Sequence, residues 1–252
     1  MSSIDSGVGH ELTAASLVQA GPTGPERQVW DLPVRLFHWT LVVGVLASYV
    51  SSRLGPEYFR LHLAAGYLVT VLVAFRLLWG LFGTRHARFA NFVRGPRAIR
   101  QYGAGLLRGR PPQHAGHNPL GALMVLALLA TLFVQAASGL FSNDEIFNTG
   151  PLYAWVSEEF SLQLTSVHKL LFNWIAAAIL IHLLAILAHR WLARENLIRA
   201  MWTGRKPAQA VGRDEGIASS RPWLALLLLA IIVVALAWLV AQAPAAELAA
   251  YE

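Results

Sequence analysis

The sequence predicts an all-α integral membrane protein, and three observations support this fold class. Hydrophobic residues make up 56% of the 252 residues, and the mean hydropathy is +0.48. Charged residues make up only 13%. The apolar residues are gathered into five blocks, each near the ~20 residues that an α-helix needs to cross a ~30 Å hydrocarbon core. Soluble domains carry more charge and have no apolar blocks of this length.

Each block predicts one transmembrane helix. Four form a bundle in the first four-fifths of the chain, and the fifth follows a polar connection. The first begins shortly after Pro33, which suits a helix start. The fifth has no histidine or charged residue and is interpreted as a packing or docking element. The predicted helices lie near residues 36–53, 61–82, 118–141, 168–191 and 222–242.

The segments outside these helices complete the predicted domain organisation. The first residues are polar and interrupted by glycine and proline, which indicates a flexible tail and not a signal peptide. In chain order we predict a cytoplasmic tail (1–29), a four-helix domain (30–206), a linker (207–221), the fifth helix (222–242) and a periplasmic tail (243–252).

Charge in the connecting loops predicts the orientation in a bacterial inner membrane. Loop 83–117 holds seven arginines and no acid, and 190–221 holds seven cations against three acids. Loop 142–167 carries four acids and no base. Because positive loops stay cytoplasmic, the N-terminus is expected inside and the C-terminus in the periplasm. The net charge of +6 therefore reflects topology and contact with membrane lipid, and we expect no nucleic-acid binding.

Histidines inside the predicted helices are the candidate functional residues. His168 and His182 are fourteen residues apart, which places both on one face of a helix, about 21 Å apart along its axis. Ionisable residues inside a membrane usually face the bundle interior and have a function. His62 lies at the depth of His168, and His38 lies near the depth of His182. Two imidazoles on opposite faces of a porphyrin are the ligand set of a bis-histidine haem b.

The sequence thus predicts a di-haem four-helix bundle, with His62/His168 as the outer pair and His38/His182 as the inner pair. The inner assignment stays open, because His189 shares a face with His182. We expect His189 to be exposed at the membrane edge, and the loop histidines His86, His114 and His117 to be solvated. Hydrogen bonding between helices is the alternative explanation of the buried histidines.

Four cations are candidate partners of the anionic haem propionates. For Arg76, which lies inside an apolar stretch, the alternatives are a propionate or quinone contact and snorkelling to the inner surface. The small residues Gly44 and Gly66 would let a macrocycle approach, although helix packing explains them equally. The four candidate cations are Arg35, Arg60, Arg76 and Lys169.

Two other chemistries are disfavoured by the sequence. Because there is no cysteine, disulfides, iron–sulfur ligation and covalent haem attachment are excluded. A divalent-metal transporter would place acidic residues inside the later helices to share the charge of the metal, and the predicted spans from residue 61 onward contain none.

Several stretches resemble the prokaryotic cytochrome b561 family, in its branch close to the b-type cytochrome subunits of nickel–iron hydrogenases. The similarity covers residues 29–206, with motif order, spacing and loop lengths in agreement. The matching stretches are VWDLPVRLFHW (29–39), LHLAAGYLVTVLVAFRLLWG (61–80), GHNPLGALMVLALL (116–129), HKLLFNWIAAAILIHLLAILAHR (168–190) and RENLIRAMWTGRK (194–206).

The resemblance implies a haem core with two non-covalent b haems on opposite sides of the membrane. Carried over by position, the ligands are His38, His62, His168 and His182. The implied function is respiratory electron transfer between ubiquinone or menaquinone and a periplasmic or membrane-bound partner. That partner could be a hydrogenase, a dehydrogenase or a c-type cytochrome. The alternative is a quinone-linked oxidoreductase that acts directly on superoxide or ferric iron, so whether the chain is itself an enzyme stays open.

Overall fold

The computed structural model describes residues 25–109, 112–146 and 148–244, and this part of the chain is predominantly helical. Two three-residue strands, β1 (Glu26–Gln28) and β2 (Arg205–Pro207), pair antiparallel with Arg27 opposite Lys206. Within the described residues the α-helices are α1 (Leu32–Leu54), α2 (Phe59–Phe82), α3 (Phe89–Phe92), α4 (Pro96–Leu107), α5 (Pro119–Leu140), α6 (Glu158–Leu192), α7 (Leu197–Thr203) and α8 (Pro222–Ala241).

Five of these helices are long and apolar enough to cross a membrane: α1, α2, α5, α6 and α8. The predicted all-α membrane fold is therefore confirmed. Polar side chains set where the helices begin. Asp31 caps α1 by accepting a hydrogen bond from the Val34 amide at 2.7 Å, and Asn118 caps α5 by accepting from the Gly121 amide at 2.7 Å. Such caps satisfy amides that have no partner inside the helix.

Helix α6 begins ten residues earlier than the predicted start at residue 168, so the predicted 142–167 loop is wrong over its last ten residues. Ser157 caps the helix, and Glu158 and Glu159 place negative charge at its positive end. The loop before it folds onto the first turns, where Thr165 Oγ1 accepts from the Asn143 amide at 2.8 Å. These residues are polar and amphipathic, so hydropathy alone did not reveal them as helical.

The bundle is centred on α2, which packs against α1, α5 and α8, while α6 packs against α5. At the centre a small apolar core joins α2, α5 and α6, and few other residues of α6 are buried. Tyr49 of α1 stacks on Phe172 of α6 with ring centroids 5.0 Å apart. The buried residues of this core are Val69, Val73, Leu129, Leu132 and Ile175.

The described loops at one end of the bundle form a folded layer, which we call the basic cap: residues 25–31, 83–109, 112–118 and 193–221. The amides of Val29 and Trp30 donate to the Gly204 carbonyl at 2.8 and 3.0 Å. Gly204 has φ +80°, and a Cβ there would lie 2.7 Å from the Trp30 carbonyl oxygen, so this position requires glycine. The predicted 207–221 linker also packs into the cap, through the buried Val211.

The predicted flexible tail at 1–29 is therefore wrong for its last residues. Glu26–Gln28 form β1, and Val29 is fully buried because the chain must anchor α1 to the cap. Residues 1–24, and positions 245–252 of the predicted C-terminal tail, lie outside the described residues.

Candidate functional site

The rings of His62 and His168 face each other across the bundle. His62 lies in the first turn of α2, and His168 lies ten residues into α6. Their ring centroids are 6.2 Å apart, and the ring planes are nearly perpendicular at 84°. Two metal–imidazole bonds of about 2 Å each, together with the ring radii, separate the centroids by about 6 Å. The separation therefore matches two axial ligands of one metal.

Backbone carbonyls hold both rings of the His62/His168 pair. His62 Nδ1 lies 2.8 Å from the Ser48 carbonyl oxygen, and His168 Nδ1 lies 2.9 Å from the Gln135 carbonyl oxygen. A carbonyl can only accept, so each Nδ1 donates its hydrogen and each Nε2 keeps a lone pair. This is the usual outer-shell arrangement of metal-binding histidines, because it fixes both the tautomer and the ring orientation.

Side chains of α5 and α2 complete the surroundings of this pair. A Cβ at Gly139 would lie 2.8 Å from His168 Cε1, so only glycine leaves room for the ring in its present place. Gln135 Nε2 donates to His168 Nε2 at 3.2 Å, and its Oε1 is buried and has no hydrogen-bond partner among the residues that the structure describes. Gly66 lies one turn after His62 and has open space beside it, whereas a Cβ at Gly44 would approach Val69 at 3.2 Å.

His38 on α1 and His182 on α6 are both half-buried. His38 Nδ1 is shielded from solvent and has no hydrogen-bond partner among the described residues. Trp39 stands edge-on to His38 with centroids 5.0 Å apart. The pairing of His38 with His182 stays a prediction.

His189 does not lie exposed at the membrane edge, and that prediction is wrong. It is 5% exposed because α4 folds back across the end of α6. His189 Nδ1 donates to the Ala185 carbonyl at 2.8 Å. Its Nε2 accepts from the Tyr102 hydroxyl at 3.0 Å and from Asn118 Nδ2 at 3.1 Å. Both ring nitrogens of His189 are therefore engaged by protein groups, and the choice between His182 and His189 as the partner of His38 stays a prediction.

Arg76 is 3% exposed, so the snorkelling alternative is wrong. The α3 segment covers the guanidinium, whose central carbon lies 5.2 Å from the Phe89 ring centroid and 6.0 Å from that of Phe92. These cation–π contacts stabilise the charge. Its Nη1 nevertheless has no hydrogen-bond partner in the described part of the chain. A buried charged donor without an acceptor is costly, and this indicates that an acceptor is supplied by a bound group.

The other three predicted cations differ in their surroundings. Arg35 Nη2 donates to the Trp202 carbonyl and so connects α1 to α7, while its Nε is buried and has no partner within the described part of the chain. Arg60 and Lys169 are exposed near the His62/His168 pair. Neither forms a hydrogen bond or ion pair with the residues that the structure describes, so both are free to meet an anion.

Asp31 is a central residue that the sequence analysis missed. Its carboxylate is 1% exposed and accepts from the Val34 amide, from Trp79 Nε1 at 3.1 Å and from the Thr84 hydroxyl. It thereby locks the start of α1 to the end of α2 and also attracts Arg76. An aspartate directly before a Leu-Pro helix start is a recognisable cap signal, so this residue could have been found.

Two of the three loop histidines are not solvated, contrary to expectation. His86 is buried, and its Nε2 donates to the Glu215 carbonyl at 2.6 Å. His117 lies between Trp30 and Phe92, at centroid distances of 4.6 and 4.5 Å, and no described residue offers a hydrogen-bond partner to its buried Nδ1. Burial first, then the positive charges of Arg76 and Lys206, lowers the pKa of His117 to about 3. His117 is therefore neutral at pH 7.

The chain matches a known protein family over most of the residues described above. The family model described as prokaryotic cytochrome b561 matches residues 29–204.

Among the described residues no three histidine, cysteine or acidic side chains cluster as a metal-ion site. A haem iron needs only two protein ligands, so pairs of histidines are the arrangement to look for.

Proteins of similar sequence are named as b-type cytochrome subunits. A probable Ni/Fe-hydrogenase B-type cytochrome subunit of Bradyrhizobium diazoefficiens is 24% identical over 72% of this chain and 86% of its own length. The subunit so named in Azotobacter vinelandii is 26% identical over 70% and 86%. The probable Ni/Fe-hydrogenase 1 B-type cytochrome subunit of Escherichia coli (strain K12) is 24% identical over 70% and 88%. No solved structure gives a significant match.

Proposed function

The chain belongs to the prokaryotic cytochrome b561 family, and from that premise we propose that it carries electrons across the membrane on two haem b groups. As a b-type cytochrome of this family it is a multi-pass membrane protein of electron transport that uses haem b. The single observation that carries the proposal is the His62/His168 pair, with centroids 6.2 Å apart and both Nε2 atoms directed away from their backbone partners.

The residues present fit a haem at each pair. His62 and His168 would hold one iron, and His38 and His182 the other. When bound, haem b supplies reversible one-electron oxidation and reduction. The Ser48 and Gln135 carbonyls keep the imidazoles neutral and oriented, and the apolar helices exclude water. For one iron to bind, the Gln135 amide must leave His168 Nε2.

The unsatisfied cations fit the anionic edges of such groups. At the end of the bundle that holds His38, Arg76 Nη1 and Arg35 Nε have no acceptor from the described residues. Arg60 and Lys169 are free at the other end. We therefore assign all four to propionate binding, with a quinone oxygen as the alternative acceptor for Arg76. This assignment explains why a guanidinium is buried beside Phe89 and Phe92 without an ion pair.

The depth of the two pairs supports transfer across the membrane. His168 and His182 lie on the one continuous helix α6, so their fourteen-residue separation is about 21 Å along its axis. That is about two-thirds of a ~30 Å hydrocarbon core. We place the basic cap, the N-terminus and the His38/His182 pair on the cytoplasmic side, and the His62/His168 pair on the periplasmic side.

The partners follow from the relatives. Their names associate them with Ni/Fe-hydrogenases, so we propose a hydrogenase as the first candidate donor, ahead of a dehydrogenase or a c-type cytochrome. Ubiquinone or menaquinone is the proposed mobile partner on the other side of the transfer. The same relatives do not favour direct oxidation of superoxide or reduction of ferric iron.

Vesicles test this function. The full chain, loaded with haem, is reconstituted into vesicles with ferricyanide trapped inside, and a quinol is added outside. We expect the trapped ferricyanide to be reduced faster than in protein-free vesicles. His62→Ala and His38→Ala should each return the rate to that background, whereas the loop variant His114→Ala should not. A wild-type rate equal to background, or an unaffected His62→Ala variant, would contradict the proposal.

A further inference from the structure

A cleft of about 890 Å³ opens in the basic cap where α6 ends. Its walls come from the end of α6 and the turn after it, from α7, from β2 and from α4, with Tyr102 among the lining residues. Cavities of this size are typical of ligand-binding sites. No residue assigned to a haem lines it.

The lining of this cleft carries an excess of positive charge. Four cations and two carboxylates face it. Arg199 pairs with Glu26 at 3.0 Å, and the buried Lys206 pairs with Glu195 at 2.6 Å. Within the part of the chain that the structure describes, the guanidinium groups of the two remaining cations make no ion pair or hydrogen bond. These two are Arg194 and Arg205.

Arg194 lines the cleft and has an unfavourable backbone conformation. Its φ is +54°, in the left-handed region that side chains other than glycine, asparagine and aspartate rarely adopt. The turn is fixed because the amides of Ala193 and Glu195 both donate to the His189 carbonyl, at 3.1 and 3.2 Å. Glycine is the usual residue at this helix end. An arginine kept there in spite of the strain indicates a role for its charge.

The rim of the cleft is apolar and aromatic. Trp191 is 73% exposed and Leu192 is also exposed, and both line the cleft mouth. Trp202 of α7 is 66% exposed. The exposed leucines of the last turns of α6, Leu184 and Leu187, continue this surface along the helix. Exposed tryptophans at the end of a membrane-spanning helix are typical of the headgroup region of a bilayer.

We propose that this cleft binds the phosphate headgroup of an anionic phospholipid. The two unpaired guanidinium groups bind phosphate oxygens, and the chains of the lipid lie against Trp191 and the apolar face of α6. Arginine suits phosphate because its planar donors can form paired hydrogen bonds. Basic pockets at the ends of membrane helices are known to hold such headgroups. The proposal is independent of the haems and of the electron-transfer partner.

Native mass spectrometry of the full chain tests this site. The protein is purified in detergent, stripped of lipid and titrated with phosphatidylglycerol, phosphatidylcholine or inorganic phosphate. We expect one phosphatidylglycerol to bind far more tightly than phosphatidylcholine. Arg194→Gly combined with Arg205→Gln should weaken its binding about thirtyfold. The matched control Arg97→Gln with Arg100→Gln removes two exposed cap arginines outside the cleft and should leave binding unchanged.

The results of this titration distinguish a specific lipid site from a general charge effect and from a site for a soluble anion. Glycine relieves the strain at position 194, so the double variant should fold, and an unchanged haem spectrum and melting temperature verify this. Equal weakening by the control pair would show a general charge effect and overturn the site. Equal binding by the double variant would overturn it as well. Binding of inorganic phosphate as tight as that of phosphatidylglycerol would overturn the lipid assignment in favour of a soluble anion.

Discussion

The histidines at the two ends of the bundle differ in how far the described protein groups satisfy their ring nitrogens. At the His62/His168 end, backbone carbonyls hold both rings, and Gly139 leaves space for one of them. At the His38/His182 end, His38 Nδ1 is buried without a partner. Most of the other unsatisfied buried side-chain atoms among the described residues belong to this end: Arg35 Nε, Trp39 Nε1, Arg76 Nη1 and His117 Nδ1.

This difference indicates how each site is built. At the His62/His168 end, backbone carbonyls of α1 and α5 orient the two imidazoles. The His38/His182 end relies on the basic cap, and its buried donors need an acceptor that the described residues do not supply. We therefore expect loss of the group at His38/His182 to destabilise the protein more than loss of the group at His62/His168.

The largest expected effect comes from Gly139→Ala. The added Cβ would lie 2.8 Å from His168 Cε1 and displace the ring from its position opposite His62. Alanine itself favours a helix, so α5 should remain folded. We expect the variant to lose the His62/His168 haem, which a pyridine haemochrome assay would register as half of the haem content. Gly103→Ala in α4, where a Cβ meets open space, is the control. If Gly139→Ala keeps the full haem content, the proposed role of Gly139 in the His62/His168 site is contradicted.

Asp31→Ala should cause the next largest change, at the other end. The variant leaves the Trp79 indole, the Thr84 hydroxyl and the Val34 amide without their acceptor. We expect the free energy of unfolding to fall by about 3–4 kcal/mol. In denaturant titrations followed by haem absorbance, the His38/His182 haem should leave first. The matched variant Asp31→Asn keeps an acceptor and should lose less. Simultaneous release of both haems would contradict the claim that Asp31 stabilises the His38/His182 end more than the His62/His168 end.

His189→Leu sharpens the choice of ligand at the basic-cap end. It removes the hydrogen bonds to Tyr102 and Asn118, and we expect a destabilisation of about 1–3 kcal/mol with the full haem content retained. Thermal unfolding and the haem assay check the two parts of this prediction. A variant that loses one haem would identify His189, and not His182, as the partner of His38.

The smallest expected effect is on pH dependence. Burial lowers the pKa of His117 to about 3 in the folded protein, against about 6.5 when unfolded. The unfolded chain therefore takes up the proton first, so this stability is present above pH 6.5 and is lost as the pH falls toward 3. Between pH 7 and pH 5 we expect a loss of about 2 kcal/mol.

His117→Gln supplies the control for that pH series. The variant should show a smaller loss of unfolding free energy between pH 7 and pH 5. A residual slope is expected, because burial lowers the pKa of His86 in the same direction. Identical slopes in the variant and the wild-type chain would contradict the assignment to His117.

The sequence predicted the spans and the common face of His168 and His182 because both depend on local rules. Hydropathy reports helix length, and fourteen residues on one continuous helix fix a common face for His168 and His182. The environments of His189 and Arg76 were not predictable in this way. They depend on α4 and α3, which fold back over the bundle through contacts distant in sequence. The loop that contains α3 and α4 is rich in arginine, and this polarity alone suggested that the loop lies in solvent and does not cover the bundle.

Other misses had a local signal that hydropathy concealed. Ser157 followed by Glu158 and Glu159 is a recognisable helix start, yet the apolar block begins only near residue 168. Gly139 and Gln135 belong to α5, which has no histidine, so nothing in the sequence linked them to the ring of His168. Their roles depend on helix packing that only the fold specifies.

A count of haem per chain tests the central claim most directly. The pyridine haemochrome assay is applied to the purified wild-type chain and to His62→Ala, His38→Ala and the double variant. The account predicts two haem b groups in the wild-type chain, one in each single variant and none in the double variant. A wild-type chain with fewer than two, or a single variant that keeps both, would contradict it.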